Sequence, residues 1–270
     1  MRLFFAGVIL AVVCFVYTVM LLGCGGGGGG NNETTTPPTT SRSNLYYGYY
    51  GSGPTQYEAT KDHINILFEA TWNGTSPIIS DLQLSSLPTI LQTPIYDAPT
   101  LIAFFTTLHQ AGVLRYVVAL YPYDEPDVNG WTDQQVTATI QMQKTVAAMF
   151  PELAGVKFAV IYGPGSNRPG IASYDWAGFD DYNAGAGAVG QELDSFETLL
   201  TPEQRVIIIP GGADPWRQDP AAFFNRAQAD PKVLILLPFL WVNYSGGEGI
   251  GDNGEAPLYR QYGLAIVTNF

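Results

Sequence analysis

The chain has 270 residues and carries 24 acidic against 12 basic side chains, for a net charge of −12. A surface of this sign repels phosphate backbones, which argues against nucleic-acid binding. Both cysteines, Cys14 and Cys24, lie in the N-terminal segment, and His63 and His109 are the only histidines. The remaining chain therefore lacks the residues for a disulfide, a cysteine nucleophile or a histidine-rich metal site, and we predict no metal and no organic cofactor.

A predominantly apolar run follows Arg2 and occupies residues 3–22, which is long enough to cross a bilayer as a helix. The run ends in Leu21-Leu22-Gly23-Cys24. This ending resembles the bacterial lipobox, in which the chain is cut before the cysteine and the cysteine thiol carries lipid. The alternative is an uncleaved membrane anchor, and both interpretations tether the rest of the chain outside the cytoplasm.

The lipoprotein resemblance implies a signal peptide over residues 1–23 and lipidation of Cys24. Because glycine, and not aspartate, follows Cys24, it also implies a cell-envelope location at the outer membrane in a diderm host. Residues 24–44 are rich in Gly, Thr and Pro and have nothing apolar to bury, which predicts a flexible linker. Residues 45–270 then form one large domain.

Short apolar runs in this domain alternate with stretches of helical periodicity. Several runs, such as VLILL at 233–237, are apolar without alternation, as expected of strands covered on both faces in a parallel sheet. The pattern predicts strands at residues 45–50, 64–70, 89–92, 114–121, 156–162, 176–180, 205–209 and 233–241. It predicts helices at residues 99–110, 132–150, 190–200 and 220–229.

Eight strands alternating with helices predict an α/β fold, a (β/α)8 TIM barrel, with a doubly wound open sheet as the alternative. Thr132 and Gln135 form a capping box at the start of the best predicted helix. In a barrel, active-site residues follow the carboxyl ends of the strands. This rule directs attention to Tyr121-Pro122-Tyr123-Asp124-Glu125-Pro126, which follows the fourth strand.

An acidic residue, then glutamate, then proline after strand four resembles the glycoside hydrolase barrels. The resemblance covers residues 45–270, although its diagnostic motif is only three residues long. It implies that Glu125 is the general acid and that Asp124 assists it. Families with a retaining mechanism usually add a glutamate after strand seven, whereas this chain has IIIPGGADP there. Asp214 is the nearest carboxylate to that strand end, and it reads equally well as a turn residue.

Other strand ends carry the side chains of a sugar site. Flat aromatic faces stack on sugar rings while carboxylates and amides bond hydroxyl groups. On this basis the predicted substrate-binding residues are Tyr50, Glu69, Trp72, Tyr123, Tyr162, Tyr182, Trp241 and Asn243. The first-strand tyrosines also fit ordinary sheet packing, whereas Trp241 matches a sugar-platform position in these hydrolases.

Two mechanisms remain open at this point. In one, Glu125 is the acid and Asp180 or Asp181 is a base that activates water, which inverts the anomeric centre. In the other, Asp124 orients a substrate acetamido group that attacks the sugar, Glu125 protonates the leaving oxygen and Tyr182 bonds the amide, which resembles the N-acetylhexosaminidases. Both require the chain to bend so that Asp124 and Glu125 face one substrate, and Pro122 and Pro126 favour such a bend.

The sequence therefore predicts a membrane-anchored, extracytoplasmic glycoside hydrolase with a carbohydrate substrate. The alternative is a non-catalytic carbohydrate- or cell-wall-binding lipoprotein on a degenerate glycosidase barrel. The absent glutamate after strand seven favours the alternative, and Glu125 beside a second carboxylate favours the enzyme.

Overall fold

The structure is a computed structural model that describes residues 42–50, 56–71, 74–94, 97–165, 167–182 and 185–269. The predicted signal peptide, the predicted lipidation site Cys24 and the predicted binding residue Trp72 lie outside the described residues. No helix in the described ranges combines the length and the apolar character needed to cross a bilayer.

Eight strands form one parallel sheet whose order follows the chain around the barrel, β1-β8-β7-β6-β5-β4-β3-β2. Parallel neighbours in sequential order are the topology of a barrel and not of a doubly wound sheet. The strands are β1 (Tyr46–Tyr47), β2 (Leu67–Glu69), β3 (Thr89–Gln92), β4 (Val117–Tyr121), β5 (Lys157–Tyr162), β6 (Trp176–Phe179), β7 (Arg205–Ile208) and β8 (Val233–Leu236).

The sheet closes between β1 and the segment that leads into β2. The Asn65 N–H donates to Tyr47 O at 2.9 Å, and the Asn65 side chain accepts from the Tyr47 N–H at 2.6 Å and donates to Leu45 O at 3.2 Å. The backbone and side chain of Asn65 thus supply the hydrogen bonds between the two edges of the sheet, where the strands are too short to pair fully. The predicted (β/α)8 barrel is confirmed.

Helices connect the strands and cover the outside of the sheet. The predicted helix at 132–150 begins as expected, because Thr132 and Gln135 form the capping box. The bounds are α1 (Gln56–Thr60), α2 (Thr75–Ser85), α3 (Ala98–Gln110), α4 (Asp133–Ala147), α5 (Ala186–Glu197), α6 (Pro220–Ala229) and α7 (Ala256–Val267).

Three helices, α1, α2 and α7, were not predicted. α1 has only five residues, and α2 carries Pro77 in its first turn. α7 contains Gly263, where a Cβ atom would lie 2.3 Å from His63 O. That close approach requires glycine. Because glycine has a low helix propensity, a helix that contains it is harder to predict from the sequence.

The core has two layers separated by the sheet. Side chains that point into the barrel form the inner layer, which includes Tyr50, Phe68, Tyr121, Trp176 and Ile235. Alternate strand residues point outward and pack on the helices in a larger outer layer, which includes Tyr49, Leu67, Leu120 and Phe179. The period of two along each strand therefore decides whether a residue can reach the mouth of the barrel.

Candidate functional site

The two carboxylates after β4 are brought to one place by a bend at Glu125. Asp124 continues the strand by bridging Ile161 of β5, and the Glu125 N–H donates to Ile161 O at 3.0 Å. Glu125 has a φ of 42°, a left-handed conformation that non-glycine residues rarely adopt. The Asn129 Nδ2 donates to the carbonyl oxygens of Asp124 and Glu125 at 3.0 and 3.1 Å, which holds the bend.

Asp124 is held by two phenols from the inner layer. The Tyr50 and Tyr121 hydroxyl groups both donate to Asp124 Oδ1, at 2.6 and 2.7 Å. Burial, followed by the charge of Asp124, raises the pKa of both tyrosines well above their ordinary value, so both remain donors at any physiological pH. Hydrogen bonds to a charged acceptor are among the stronger ones, and they hold this carboxylate in position.

The Glu125 carboxyl group lies in a partly buried and strongly acidic environment. Burial raises its pKa to about 7, with further contributions from the charges of Asp124 and Asp127, while an interaction with Asp180 opposes the rise. A Cβ atom on Gly163 would come within 3.2 Å of Glu125 Oε1, so glycine at this position leaves room for the carboxyl group. Glu125 therefore changes protonation near neutral pH.

Asp180 follows β6 and meets Glu125 across the mouth. It is only 7% exposed, and burial, followed by the charge of Glu125, raises its pKa well above the ordinary value. The neighbouring Tyr182 hydroxyl group opposes part of this rise. Burial and the mutual repulsion of the two charges therefore both favour the protonated forms of Glu125 and Asp180.

A buried ion pair fixes the loops after β4 and β5. Arg168 Nη1 donates to Asp127 Oδ2 at 3.0 Å, and the two side chains are 8% and 6% exposed. Asp127 Oδ1 also accepts from the Gly163 N–H at 3.0 Å, and the guanidinium group lies over the Tyr162 ring. The loop after β5, residues 163–170, is thus tied to the Glu125 loop by Arg168, a contact between distant residues that no local motif predicts.

Aromatic side chains line the mouth on the β6–β8 side. Tyr182 stacks on both Phe239 and Trp216, with ring centroids 5.0 and 6.0 Å apart. Trp216 stacks in turn on Tyr244 at 5.5 Å, and Phe239 lies 5.9 Å from Tyr50. We call Tyr182, Trp216, Phe239 and Tyr244 the aromatic wall. All four are partly exposed, so the wall offers apolar aromatic surface to a ligand beside Asp180.

A polar cleft with a volume of about 270 Å³ opens on the opposite side, next to Asp124. Within it, Gln92 Oε1 accepts from the N–H and Oγ1 of Thr71 at 3.0 and 3.1 Å. The Trp131 ring packs against Tyr123 at 4.7 Å. We define the polar cleft by its lining residues Thr71, Gln92, Thr93, Pro94, Pro122, Tyr123, Asp124, Asn129 and Trp131.

Glu69 does not face the mouth. Phe68 belongs to the inner layer, so Glu69, the next residue on β2, points outward to α2, where it is 1% exposed near Asp81. Burial, followed by the charge of Asp81, raises the Glu69 pKa to about 9. Strand alternation therefore separates Glu69 from the other candidate residues.

Trp241 lies in the outer layer and apart from the aromatic wall. Its ring packs 4.9 Å from Tyr49 and 5.6 Å from His63, both of which are buried behind the sheet. Phe239, two residues earlier, is the aromatic residue from this segment that reaches the inner layer. The structure thus separates Trp241 from the Glu125–Asp180 pair.

Tyr123 and Tyr162 have their hydroxyl groups engaged within the protein. Tyr123 is 2% exposed and donates to Thr139 Oγ1 at 2.6 Å. Tyr162 is fully buried and donates to Pro169 O at 2.9 Å. Tyr123 still forms part of the polar cleft through its ring, whereas Tyr162 supports the loop after β5.

Asn243 and Asp181 also have positions different from those of the central acids. Asn243 Oδ1 accepts from the Gly249 N–H at 2.8 Å and its Nδ2 donates to Asp252 at 2.7 Å, so it organises the loop after β8. Asp181 follows Asp180 directly and lines a small apolar cavity with Phe179 behind β6. Of the two adjacent aspartates, Asp180 is the one whose side chain opposes the rise in the Glu125 pKa.

The segment after β7 supplies no counterpart to Glu125. Asp214 is partly exposed and accepts from Arg217 Nη2 at 2.8 Å. This hydrogen bond holds the Asp214 pKa below its ordinary value and commits the carboxylate to Arg217. Among the described residues there is also no group of three or more His, Asp or Glu side chains that could hold a metal ion.

No protein-family model and no curated protein matches the chain. Among solved structures, it is similar to the glycoside hydrolase family 17 β-1,3-glucanosyltransferase from Rhizomucor miehei, with a TM-score of 0.55, 15% identity, and coverage of 77% of this chain and 92% of that one. It is also similar to the catalytic domain of the GH26 endo-β-1,4-mannanase of Bacillus sp. JAMB-750, with a TM-score of 0.53 and 11% identity, over 84% of this chain and 88% of that one. At these identities the comparison shows the fold alone, a (β/α)8 barrel similar to those of these glycoside hydrolases.

Proposed function

We propose that this protein is a glycoside hydrolase in which Glu125 protonates the leaving oxygen of the substrate. One observation carries the proposal: Glu125 and Asp180 follow the carboxyl ends of β4 and β6, and burial raises the pKa of Glu125 to about 7. A general acid is most effective when its pKa lies near the working pH. The pair stands between an aromatic wall and a polar cleft, which are the two kinds of surface that sugars bind.

The arrangement supports the substrate-assisted mechanism over the inverting one. An inverting enzyme needs a second carboxyl group that is ionised and can activate water, whereas burial raises the Asp180 pKa well above its ordinary value and disfavours the ionised form. We therefore propose a substrate with an N-acetylated hexosamine.

In the proposed first step, the acetamido oxygen attacks the anomeric carbon and the bond to the leaving oxygen breaks. Glu125 gives its proton to that oxygen, and an oxazolinium ion forms on the sugar. Asp124 stabilises the positive charge, because Tyr50 and Tyr121 hold its carboxylate in place. Water then opens the ring and transfers a proton to the Glu125 carboxylate, which restores the acid.

The test is a comparison of wild type with Glu125→Gln on a panel of polysaccharides and chromogenic glycosides, using the domain from residue 45. Loss of the acid proton is expected to lower turnover by about two to four orders of magnitude while binding survives. Glu203→Gln is the matched control, because Glu203 is exposed on the turn before β7. An active preparation in which Glu125→Gln matches wild type would overturn the assignment.

A non-catalytic carbohydrate-binding protein is the second candidate function. It is favoured by the segment after β7, where Asp214 is committed to Arg217 and the usual glutamate is missing. The same panel separates the two candidates. A binder retains affinity for a glycan and shows no cleavage by wild type, whereas the hydrolase shows cleavage that Glu125→Gln abolishes.

We further propose that the domain is anchored in the cell envelope through a lipid on Cys24, after removal of residues 1–23. The support is the Leu21-Leu22-Gly23-Cys24 ending of the apolar run. Labelled fatty acid should enter wild type and not Cys24→Ser, and the mature protein should begin at Cys24. Retention of residues 1–23 in the mature protein would contradict this proposal.

A further inference from the structure

The polar cleft and the aromatic wall lie on opposite sides of Glu125, and the sequence predicts only part of each: Tyr123 and Asp124 in the cleft and Tyr182 in the wall. The cleft is built from the ends of β3 and β4 and borders Asp124, whereas the wall is built from residues after β6, β7 and β8. A ligand that occupied both would cross the Glu125–Asp180 pair.

The volume of the cleft limits what it can hold. At about 270 Å³ it falls just below the ~300–1,000 Å³ of sites that take a drug-sized molecule. One pyranose ring fits such a space, and a disaccharide exceeds it. The cleft is also too polar for an apolar ligand, because threonine, glutamine, asparagine and aspartate side chains line it.

The polar groups of the cleft are positioned before any ligand binds. Thr71 holds Gln92 through Oε1, and among the described residues Gln92 Nε2 has no acceptor, so it can donate to a sugar hydroxyl. Asn129 uses Nδ2 to hold the bend at Glu125, which leaves Oδ1 as an acceptor. Fixed donors and acceptors lower the entropy lost when a ligand binds.

Trp131 gives the cleft an apolar side. Its ring is partly exposed and packs on Tyr123, which is held in turn through its hydroxyl group by Thr139. The backbone N–H of Trp131 donates to Pro126 O at 2.9 Å, which ties this residue to the Glu125 loop. An indole ring fixed in this way can cover the C–H face of a sugar while Gln92 and Asn129 bond its hydroxyl groups.

We propose that the polar cleft binds one sugar ring of an oligosaccharide whose next unit lies on the aromatic wall, so that the protein recognises at least two sugar units, one on each side of Glu125. The proposal rests on the proposed function for the class of ligand. It adds a second binding position, and it predicts that a monosaccharide cannot occupy both sides.

The test uses the Glu125→Gln protein, which separates binding from cleavage. The probes are laminaritriose, mannotriose and chitotriose, with glucose, mannose and N-acetylglucosamine as single-ring controls. The chain has five tryptophans, and their indole N–H signals can be assigned in a ¹⁵N spectrum by single substitutions. A bound trisaccharide should shift the signals of both Trp131 and Trp216, whereas Trp241 in the outer layer should not respond.

Affinity measured by calorimetry provides the second readout. Trp131→Ala and Gln92→Ala should each weaken trisaccharide binding by about tenfold, and Trp131→Phe should recover most of the loss. Leu199→Ala is the control, because Leu199 is an exposed residue at the end of α5. An unchanged affinity in Trp131→Ala, a shift of Trp216 without Trp131, or no binding of any trisaccharide would overturn the proposal.

The two proposals fail separately. Suppose that wild type cleaves a glycan and Glu125→Gln does not, but the indole N–H signal of Trp131 does not shift. The hydrolase proposal then stands and the second binding position is wrong. If Trp131 and Trp216 both respond to a trisaccharide that wild type never cleaves, the binding position stands and the hydrolytic function is wrong.

Discussion

Two pairs of carboxyl groups are buried in this barrel, and they differ in what they can reach. Glu125 and Asp180 meet at the mouth, where a ligand has access, whereas Glu69 and Asp81 lie between β2 and α2, behind the sheet. Burial is the largest cause of the raised pKa in all four groups. A raised pKa therefore shows that a carboxyl group is desolvated. Whether that group can act on a substrate depends on whether its side chain points to the mouth of the barrel or behind the sheet.

The largest expected effect is on the free energy of unfolding when Glu69 of the Glu69–Asp81 pair is replaced. Its pKa rises from 4.5 to about 9 on folding, so the folded state holds a proton that the unfolded state loses. The contribution of Glu69 to stability is complete below pH 4.5 and declines as pH rises toward 9. The Gln side chain of Glu69→Gln does not ionise, so this variant keeps the stability that wild type loses as pH rises. Its free energy of unfolding at pH 7 should exceed that of wild type by about 3 kcal/mol.

Urea unfolding at intervals from pH 4 to pH 8 measures this effect. The advantage of Glu69→Gln over wild type should grow with pH, while cleavage activity stays at the wild-type level. The exposed variant Glu203→Gln should show no such trend. A constant difference across the pH range would mean that Glu69 is ionised in the folded protein, against its burial.

The second effect concerns the other pair. Asp180→Asn keeps the size of the side chain but removes the buried carboxyl group that interacts with Glu125. We expect turnover at pH 7 to fall about 100-fold, because Asp180 is the buried carboxyl group that interacts with Glu125. Asp181→Asn is the matched control, because Asp181 points behind β6. Equal losses in the two variants would show that Asp180 has no distinct role.

The smallest effect concerns the support of Asp124. Tyr121→Phe removes one of the two hydroxyl groups that donate to Asp124 Oδ1 and leaves Tyr50 in place. Loss of one hydrogen bond to a charged group should lower turnover about tenfold with little change in KM. Tyr162→Phe also loses a buried hydroxyl group, but on the loop after β5. A larger kinetic loss in Tyr162→Phe would argue against the role given to Tyr121.

The sequence predicts the barrel well, because apolar runs covered on both faces and their alternation with helices are local patterns. The same rule about strand ends brings Tyr50, Asp124, Glu125, Asp180 and Tyr182 to the mouth. It fails to separate Glu69 and Trp241 from them, because one residue of uncertainty in a strand reverses the direction of a side chain. Strand ends are the least regular part of a strand pattern.

Other parts of the site depend on contacts between distant residues. Arg168 reaches Asp127 across 41 positions of sequence, and the aromatic wall joins residues from three separate strand ends. Asn129 holds the bend at Glu125 from within a turn, where an asparagine is unremarkable. None of these features has a local period or motif, so they emerge only when the chain is folded.

The central claim, that Glu125 donates a proton to the leaving oxygen, is tested most directly by varying the leaving group. A dinitrophenyl glycoside departs without protonation, whereas an unactivated glycoside of the same sugar needs the acid. Glu125→Gln should lose about two to four orders of magnitude in turnover on the unactivated substrate and stay within about tenfold of wild type on the dinitrophenyl one. Equal losses on both substrates, or no loss on either, would contradict the account.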